Sequence, residues 1–167
     1  MRKMTEDNLK AAFKGESQAH MRYLIFAIKA EREGFANIAR LFRAVAFAEQ
    51  IHALNHLNTL GLIRSTTENL QVAIDGEHYE VNEMYPAYDS VAKLQGERNA
   101  ERSFNWALQS EKTHVGLYQK AKQAAEKGED LKIEAIYVCE ICGYTIEDEV
   151  PDRCPICGAP KGKFVKF

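Results

Sequence analysis

The 167-residue chain has few cysteines and prolines, almost no net charge and no long apolar run. It carries four cysteines, four prolines and a formal net charge of −2. A charge so close to zero creates no basic field that would recruit nucleic acid or an anionic membrane. No stretch is apolar for the length that a membrane-spanning helix needs, and the first residues lack the apolar core of a secretory signal. We therefore expect a cytoplasmic protein that binds neither nucleic acid nor membrane.

The four cysteines form two closely spaced pairs, Cys139-x-x-Cys142 and Cys154-x-x-Cys157. In a chain without an export signal, paired Cys-x-x-Cys units favour metal-binding thiolates over disulfides. Two such loops can enclose one ion in a tetrahedral thiolate site, which suits iron or zinc. A structural zinc ribbon is therefore the alternative to a redox-active iron site.

The rest of the chain shows the periodicity of helices. Apolar spacing predicts four long helices, at about residues 5–33, 37–60, 77–94 and 97–126. Asn37 is the expected N-cap of the second helix, residues 62–76 are expected to form a loose connection, and Pro86 predicts a kink. We expect a mainly α protein, with an antiparallel four-helix bundle over residues 1–134. A small β and knuckle domain, residues 135–167, is too short to fold without its metal.

Metal-ligating side chains recur one helical turn apart in this helical region, as Glu49-x-x-His52, Glu77-x-x-Glu80 and Glu111-x-x-His114. Residues three apart on a helix share a face, so both members of a pair can reach one ion. Ferritin-like bundles hold two metals with one Glu from each of two helices and a Glu-x-x-His from each of the others. Glu16 completes that set here. Carboxylate oxygen with imidazole suits iron or manganese, and Glu49 and Glu111 are the expected bridges.

A single Glu-x-x-His on a helix is more often part of a solvated face than a ligand set. However, Glu49 follows the apolar stretch 41–48, and Glu111 with His114 continues an apolar stripe over 104–108. A carboxylate on a core-facing stripe is costly unless it binds metal or is paired. The pattern therefore favours a two-metal site.

Several other polar and aromatic residues lie near these positions. Histidine at positions 20, 56 and 78 is expected at the surface or in a hydrogen bond rather than on a metal. Tyr23 and Tyr85 are expected close to the metals, either as core aromatics or as hydrogen-bond donors to peroxide.

Glu80 is a carboxylate beyond the four that would balance two ferrous ions. Oxidation to two ferric ions adds positive charge, which a fifth carboxylate can neutralise. His52, a neutral ligand, is the group that Glu80 would replace. The sequence thus predicts that Glu80 exchanges with His52 when the site is oxidised.

The motifs resemble those of the rubrerythrin family over essentially the whole chain. The resemblance is carried by Gly-Glu-Ser-Gln-Ala-His-Met-Arg-Tyr around Glu16, Glu49-Gln-Ile-His52, Gly-Glu77-His-Tyr-Glu80, Glu-Met-Tyr-Pro at 83–86, Glu111-Lys-Thr-His114 and the two cysteine loops. It implies a ferritin-like bundle with a rubredoxin-like tail. All seven di-iron ligands of that family's pattern are present, with Glu80 among them.

The resemblance also implies a function. It predicts an oxidoreductase, a peroxidase that protects an anaerobe from oxidative stress by reducing hydrogen peroxide to water at a non-haem di-iron centre. Electron transport would run from NAD(P)H, through a rubredoxin or a separate reductase, to an iron held by the four cysteines. It implies a homodimer in which this thiolate-bound iron of one subunit lies beside the di-iron centre of the other, with helix exchange between subunits as a variant. A ferroxidase and a zinc-filled binding module are the alternatives.

Overall fold

The computed structural model describes all 167 residues, which form five α-helices, one π-helical turn and a three-stranded sheet. The helices are α1 (Lys3–Arg32), α2 (Ala36–Thr59), α3 (Thr66–Tyr79), α4 (Tyr85–Gln95) and α5 (Arg98–Glu126), with the π-helical turn at Glu80–Met84. The strands are β1 (Ile136–Cys139), β2 (Thr145–Glu147) and β3 (Phe164–Lys166). No helix is both long enough and apolar enough to span a membrane. The chain divides into two compact units, Met1–Arg64 and Ser65–Phe167.

The first unit is a hairpin of α1 and α2 packed along a seam of small side chains. The buried residues of α2 are Ala39, Ala46 and Ala53, which recur every seven residues along one face. Because alanine adds only a methyl group, the two helix backbones can approach closely. His20 of α1 donates from Nδ1 to the carbonyl oxygen of Ala46, 2.8 Å away, and so ties the two helices together.

The start of α3 corrects one prediction. Residues 62–76 were expected to form a loose connection, but α3 begins at Thr66. Ser65 and Glu68 form a capping box: Ser65 Oγ accepts from the Glu68 amide, and the Glu68 carboxylate accepts from the Ser65 amide. This Ser-x-x-Glu signature was legible in the sequence. The expected cap at Asn37 is also wrong, because α2 already begins at Ala36.

The distortion expected near Pro86 takes the form of the π-helical turn. Tyr85 donates its amide to the carbonyl of Glu80, five residues back. Pro86 lies in the first turn of α4 and has no amide hydrogen to donate back into the π-helical turn. Single π-turns often occur at functional sites, and this one begins with Glu80.

The C-terminal sheet has the strand order β2-β1-β3, with both pairings antiparallel. It belongs to the same compact unit as α3, α4 and α5. The fold class is as expected: a mainly α protein followed by a small three-stranded β region.

Candidate metal centres

The first unit brings together Glu16 of α1 with Glu49 and His52 of α2. We call this set the α1–α2 cluster. Its donor atoms all lie within 4.8 Å of one another. His52 Nδ1 is 2.8 Å from Glu49 Oε2 and 4.0 Å from Glu16 Oε1. The i, i+3 spacing on α2 therefore places both side chains at one point, as the sequence predicted.

The second unit holds an equivalent set, Glu77 of α3 with Glu111 and His114 of α5, which we call the α3–α5 cluster. Its donor atoms also lie within 4.8 Å of one another. His114 Nδ1 is 2.5 Å from Glu111 Oε2 and 3.8 Å from Glu77 Oε1. Each compact unit thus carries two carboxylates and one imidazole nitrogen in nearly the same arrangement.

The electrostatics of the α3–α5 cluster fit a cation. Burial, and then a hydrogen bond with Glu111, raises the pKa of Glu77 to about 7. The hydrogen bond from His114 lowers the pKa of Glu111, and the same contact raises the pKa of His114. Two acids held together away from water are unfavourable unless a positive charge lies between them. Carboxylate oxygens and an imidazole nitrogen are a donor set that suits iron, so these residues fit the metal.

Glu80 lies outside both three-residue clusters, on the π-helical turn. Burial raises its pKa, and the negative charge of Glu111 raises it further, so the two carboxylates are electrostatic neighbours. Burial, and then the charge of Glu80, also raises the pKa of Tyr85. Tyr85 therefore lies near these acids, and its place near the metals stays a prediction.

Two further residues considered in the sequence, Tyr23 and His78, contact side chains outside the clusters. The ring of Tyr23 packs against Phe26 and Phe42, with centroids 6.4 and 6.1 Å away. His78 Nε2 is 3.4 Å from the amide nitrogen of Gln119. None of the histidines at positions 20, 56 and 78 belongs to a cluster of potential metal ligands.

All four cysteines converge in what we call the thiolate knuckle, residues 139–157. Cys139 and Cys157 have sulfurs 3.7 Å apart, and those of Cys142 and Cys154 are 3.5 Å apart. Metal–sulfur bonds of about 2.3 Å in a tetrahedron require sulfurs roughly 3.8 Å apart. The cysteines are free, and the spacing fits a four-thiolate metal site.

Ionisation of two of the knuckle thiols is unfavourable without a cation. Burial raises the pKa of the Cys142 and Cys157 thiols. Burial also opposes ionisation of Cys154, but the backbone amides of Cys157 and Ile156 outweigh it and lower that pKa. A bound cation would offset the electrostatic repulsion among four thiolates and the loss of their hydration at this site.

The knuckle is joined to α5 of its own chain by side-chain hydrogen bonds. Ser110, only 2% exposed, has Oγ 2.9 Å from the carbonyl oxygen of Cys142. Thr145 Oγ1 is 2.9 Å from Nε2 of His114. Sequence reasoning missed both residues, because nothing in a linear pattern pairs positions more than 30 apart. Within one chain, these two bonds therefore place the knuckle beside the α3–α5 cluster.

Comparison with known protein families agrees with both halves of this description. The family described as Rubrerythrin matches residues 7–122. The family described as the rubredoxin-like domain of rubrerythrin matches residues 137–165. The first match spans α1 to α5, and the second spans the knuckle and most of the sheet.

Individual relatives are similar over nearly the full length. Rubrerythrin-2 of Clostridium acetobutylicum is 45% identical, and the alignment covers 98% of this chain and 97% of the relative. Nigerythrin of Nitratidesulfovibrio vulgaris is 36% identical over 98% of this chain and 86% of the relative. A solved structure of nigerythrin in a mixed-valence state matches with a TM-score of 0.58 at 34% identity, covering 98% of this chain and 86% of that one.

Proposed function

This chain belongs to the rubrerythrin family of iron-binding oxidoreductases, and from that premise we propose that it reduces hydrogen peroxide to water. The observation that carries the proposal is the presence in one chain of two carboxylate–histidine clusters and one cluster of four cysteines. Each peroxide takes up two electrons and two protons and yields two water molecules. The proposed functional segments are residues 1–134 for the peroxide chemistry and 135–167 for electron supply.

The proposed roles follow from ligand type. Iron at the carboxylates supplies a redox centre with open coordination positions, and iron at the thiolates supplies a one-electron carrier. The six residues of the two clusters would hold the iron pair, with Glu49 and Glu111 as the carboxylates that the two ions could share, and the four cysteines would hold the third iron. Tyr23 and Tyr85 orient the peroxide by donating hydrogen bonds from their phenol groups.

We further propose that a second copy of the chain completes the site. In the single chain, large apolar side chains of α2 stay exposed, with Leu41 at 62% and Phe47 at 61%. On α4, Leu94 is 88% exposed. Surfaces of this kind mark protein interfaces. A homodimer in which the α1–α2 cluster of one chain meets the α3–α5 cluster of the other would cover such surfaces and unite six ligands.

The physiological donor is proposed to be a rubredoxin or an NAD(P)H-dependent reductase in the cytoplasm. Ile141, in the first cysteine loop, is 45% exposed and offers an apolar contact beside Cys142. A donor that docks here would approach the thiolates rather than the carboxylates.

Loss of Glu80 should alter the oxidised site more than the reduced site. If Glu80 replaces His52 on oxidation, Glu80→Ala leaves the ferric pair short of one negative charge, and we expect peroxide turnover to fall roughly 10–100-fold. Mössbauer spectra of iron-57-loaded protein in both oxidation states provide the measurement. Glu83→Ala, a carboxylate on the same π-helical turn, is the matched control and should behave as the wild type. Unchanged spectra for Glu80→Ala in both states would contradict the exchange.

Stopped-flow absorbance tests the function itself. Fully reduced, iron-loaded protein is mixed with hydrogen peroxide, and the carboxylate and thiolate irons are followed separately. We expect the iron pair to oxidise first and the thiolate iron next, with both returning to the reduced state when donor is added. A thiolate iron that stays reduced while the pair oxidises would overturn the proposal and favour a ferroxidase.

A further inference from the structure

Thr145, the first residue of β2, contacts the candidate metal ligand His114 at the ring nitrogen that does not face the carboxylates. Its Oγ1 lies 2.9 Å from Nε2 of His114. Thr145 belongs to the thiolate knuckle, three residues after Cys142. The contact therefore joins two candidate metal centres within one compact unit.

The hydrogen-bond partners of Thr145 determine the direction of this contact. Thr145 Oγ1 is also 3.0 Å from the carbonyl oxygen of Gly143, which can only accept. A hydroxyl has one hydrogen, and donating it to Gly143 leaves oxygen lone pairs facing His114. Nε2 of His114 must then carry a hydrogen and donate it to Thr145.

The other ring nitrogen of His114 faces the carboxylates. Nδ1 is 2.5 Å from Glu111 Oε2 and 3.8 Å from Glu77 Oε1. The Nδ1 hydrogen that is donated to Glu111 is the one that a metal would replace. A neutral imidazole has a lone pair for a metal on only one nitrogen, and that nitrogen is Nδ1 when Nε2 keeps its hydrogen. Thr145 therefore favours the one tautomer of His114 that can bind a metal within the α3–α5 cluster.

The surroundings strengthen this contact. A cavity of about 310 Å³ is lined by His114 and Thr145 together with apolar side chains that include Leu70, Leu117 and Ile136. A hydrogen bond among apolar groups is stronger than one in water, because water competes less for its donor and acceptor.

We propose that Thr145 is a positioning residue for His114, one that holds the imidazole ring with Nδ1 directed at the α3–α5 cluster. This role rests on the proposed metal function. Because Thr145 belongs to the knuckle, it can hold His114 in place only when the knuckle has folded around its own metal. His52 of the α1–α2 cluster is 53% exposed, and its side-chain contacts are all at Nδ1. The knuckle thus restrains His114 through its Nε2 atom.

The test uses the full chain loaded with zinc, which keeps every site diamagnetic. Nitrogen-15 NMR of labelled histidine follows the Nε2 hydrogen of His114, assigned by its absence in His114→Gln. We expect this hydrogen to exchange slowly with solvent in the wild type and at least about tenfold faster in Thr145→Val. Valine suits the strand position, and Thr145→Ser, which restores the hydroxyl, should restore slow exchange.

A second readout is the zinc affinity of the α3–α5 cluster, which should fall roughly 10–100-fold in Thr145→Val. Thr113→Val is the control: it removes a hydroxyl next to His114 that bonds only to the carbonyl of Ser110. Unchanged exchange and affinity in Thr145→Val would overturn the role of Thr145 alone. A wild-type chain in which zinc leaves the His114 signals unmoved would overturn the metal site itself, and this role with it.

Discussion

Two inactive variants, Glu49→Ala and Glu111→Ala, should recover activity when they are combined in one dimer. Each change removes a carboxylate from a different compact unit, and we expect each variant alone to lose at least about a hundredfold in peroxide reduction. In a dimer whose sites combine the first unit of one chain with the second unit of the other, the mixed dimer has one site with both lesions and one with neither. Its rate should be about half that of the wild type.

Co-expression with two affinity tags isolates the mixed dimer for this measurement. Glu16→Ala combined with Glu49→Ala is the matched control, because both lesions lie in the first unit and every site keeps one of them. That control should stay inactive. If the Glu49→Ala and Glu111→Ala mixture also stays at the level of its parents, each site is built within one chain and the proposed exchange is wrong.

Zinc at the thiolate knuckle should stop sustained peroxide reduction without unfolding the protein. Zinc satisfies the four thiolates at nearly the same bond lengths as iron but has no accessible redox change. We expect protein with iron at the carboxylates and zinc at the cysteines to consume about one peroxide per site and then stall, because nothing returns electrons to the pair. Peroxide consumption is measured under excess donor, and circular dichroism checks the fold.

Two controls show whether the loss of turnover comes from zinc itself or from damage to the knuckle. Exchange of the knuckle zinc for iron should restore turnover in the same preparation. Cys154→Ser should do more damage than zinc, because it removes a buried ligand and with it the metal that folds the knuckle. Continued turnover with zinc in the knuckle would show that electrons reach the carboxylate site by another route.

The parts of the fold and the candidate sites that follow local rules could be predicted from the sequence. Ligand pairs such as Glu111-x-x-His114 depend only on helical periodicity, and the two cysteine loops depend only on short-range spacing. The exact start of α3 was missed, although the capping residues Ser65 and Glu68 were visible, because residues 62–76 were expected to form a loose connection.

Other features depend on tertiary contacts that no local pattern encodes. The bond from Thr145 to His114 joins a strand to a helix across 31 positions of the chain. A π-helical turn, in which the Tyr85 amide bonds to the Glu80 carbonyl, stands ahead of Pro86 where the sequence predicted only a kink. Spacing identifies which residues can be ligands, but it does not indicate what holds their rings and carboxylates in place.

The alanine seam of the α1–α2 hairpin bears on how the protein is made. Residues 1–64 leave the ribosome before residues 65–167, and the side chains that they bury best are Ala27, Ala39 and Ala46, which contribute little apolar area. Until the later segments are synthesised, the nascent hairpin therefore buries little apolar area and exposes large apolar side chains. The yield of folded protein should depend on how soon another part of the chain, or a partner chain, covers these exposed side chains. Slow synthesis or a low concentration of partner chains would therefore favour aggregation.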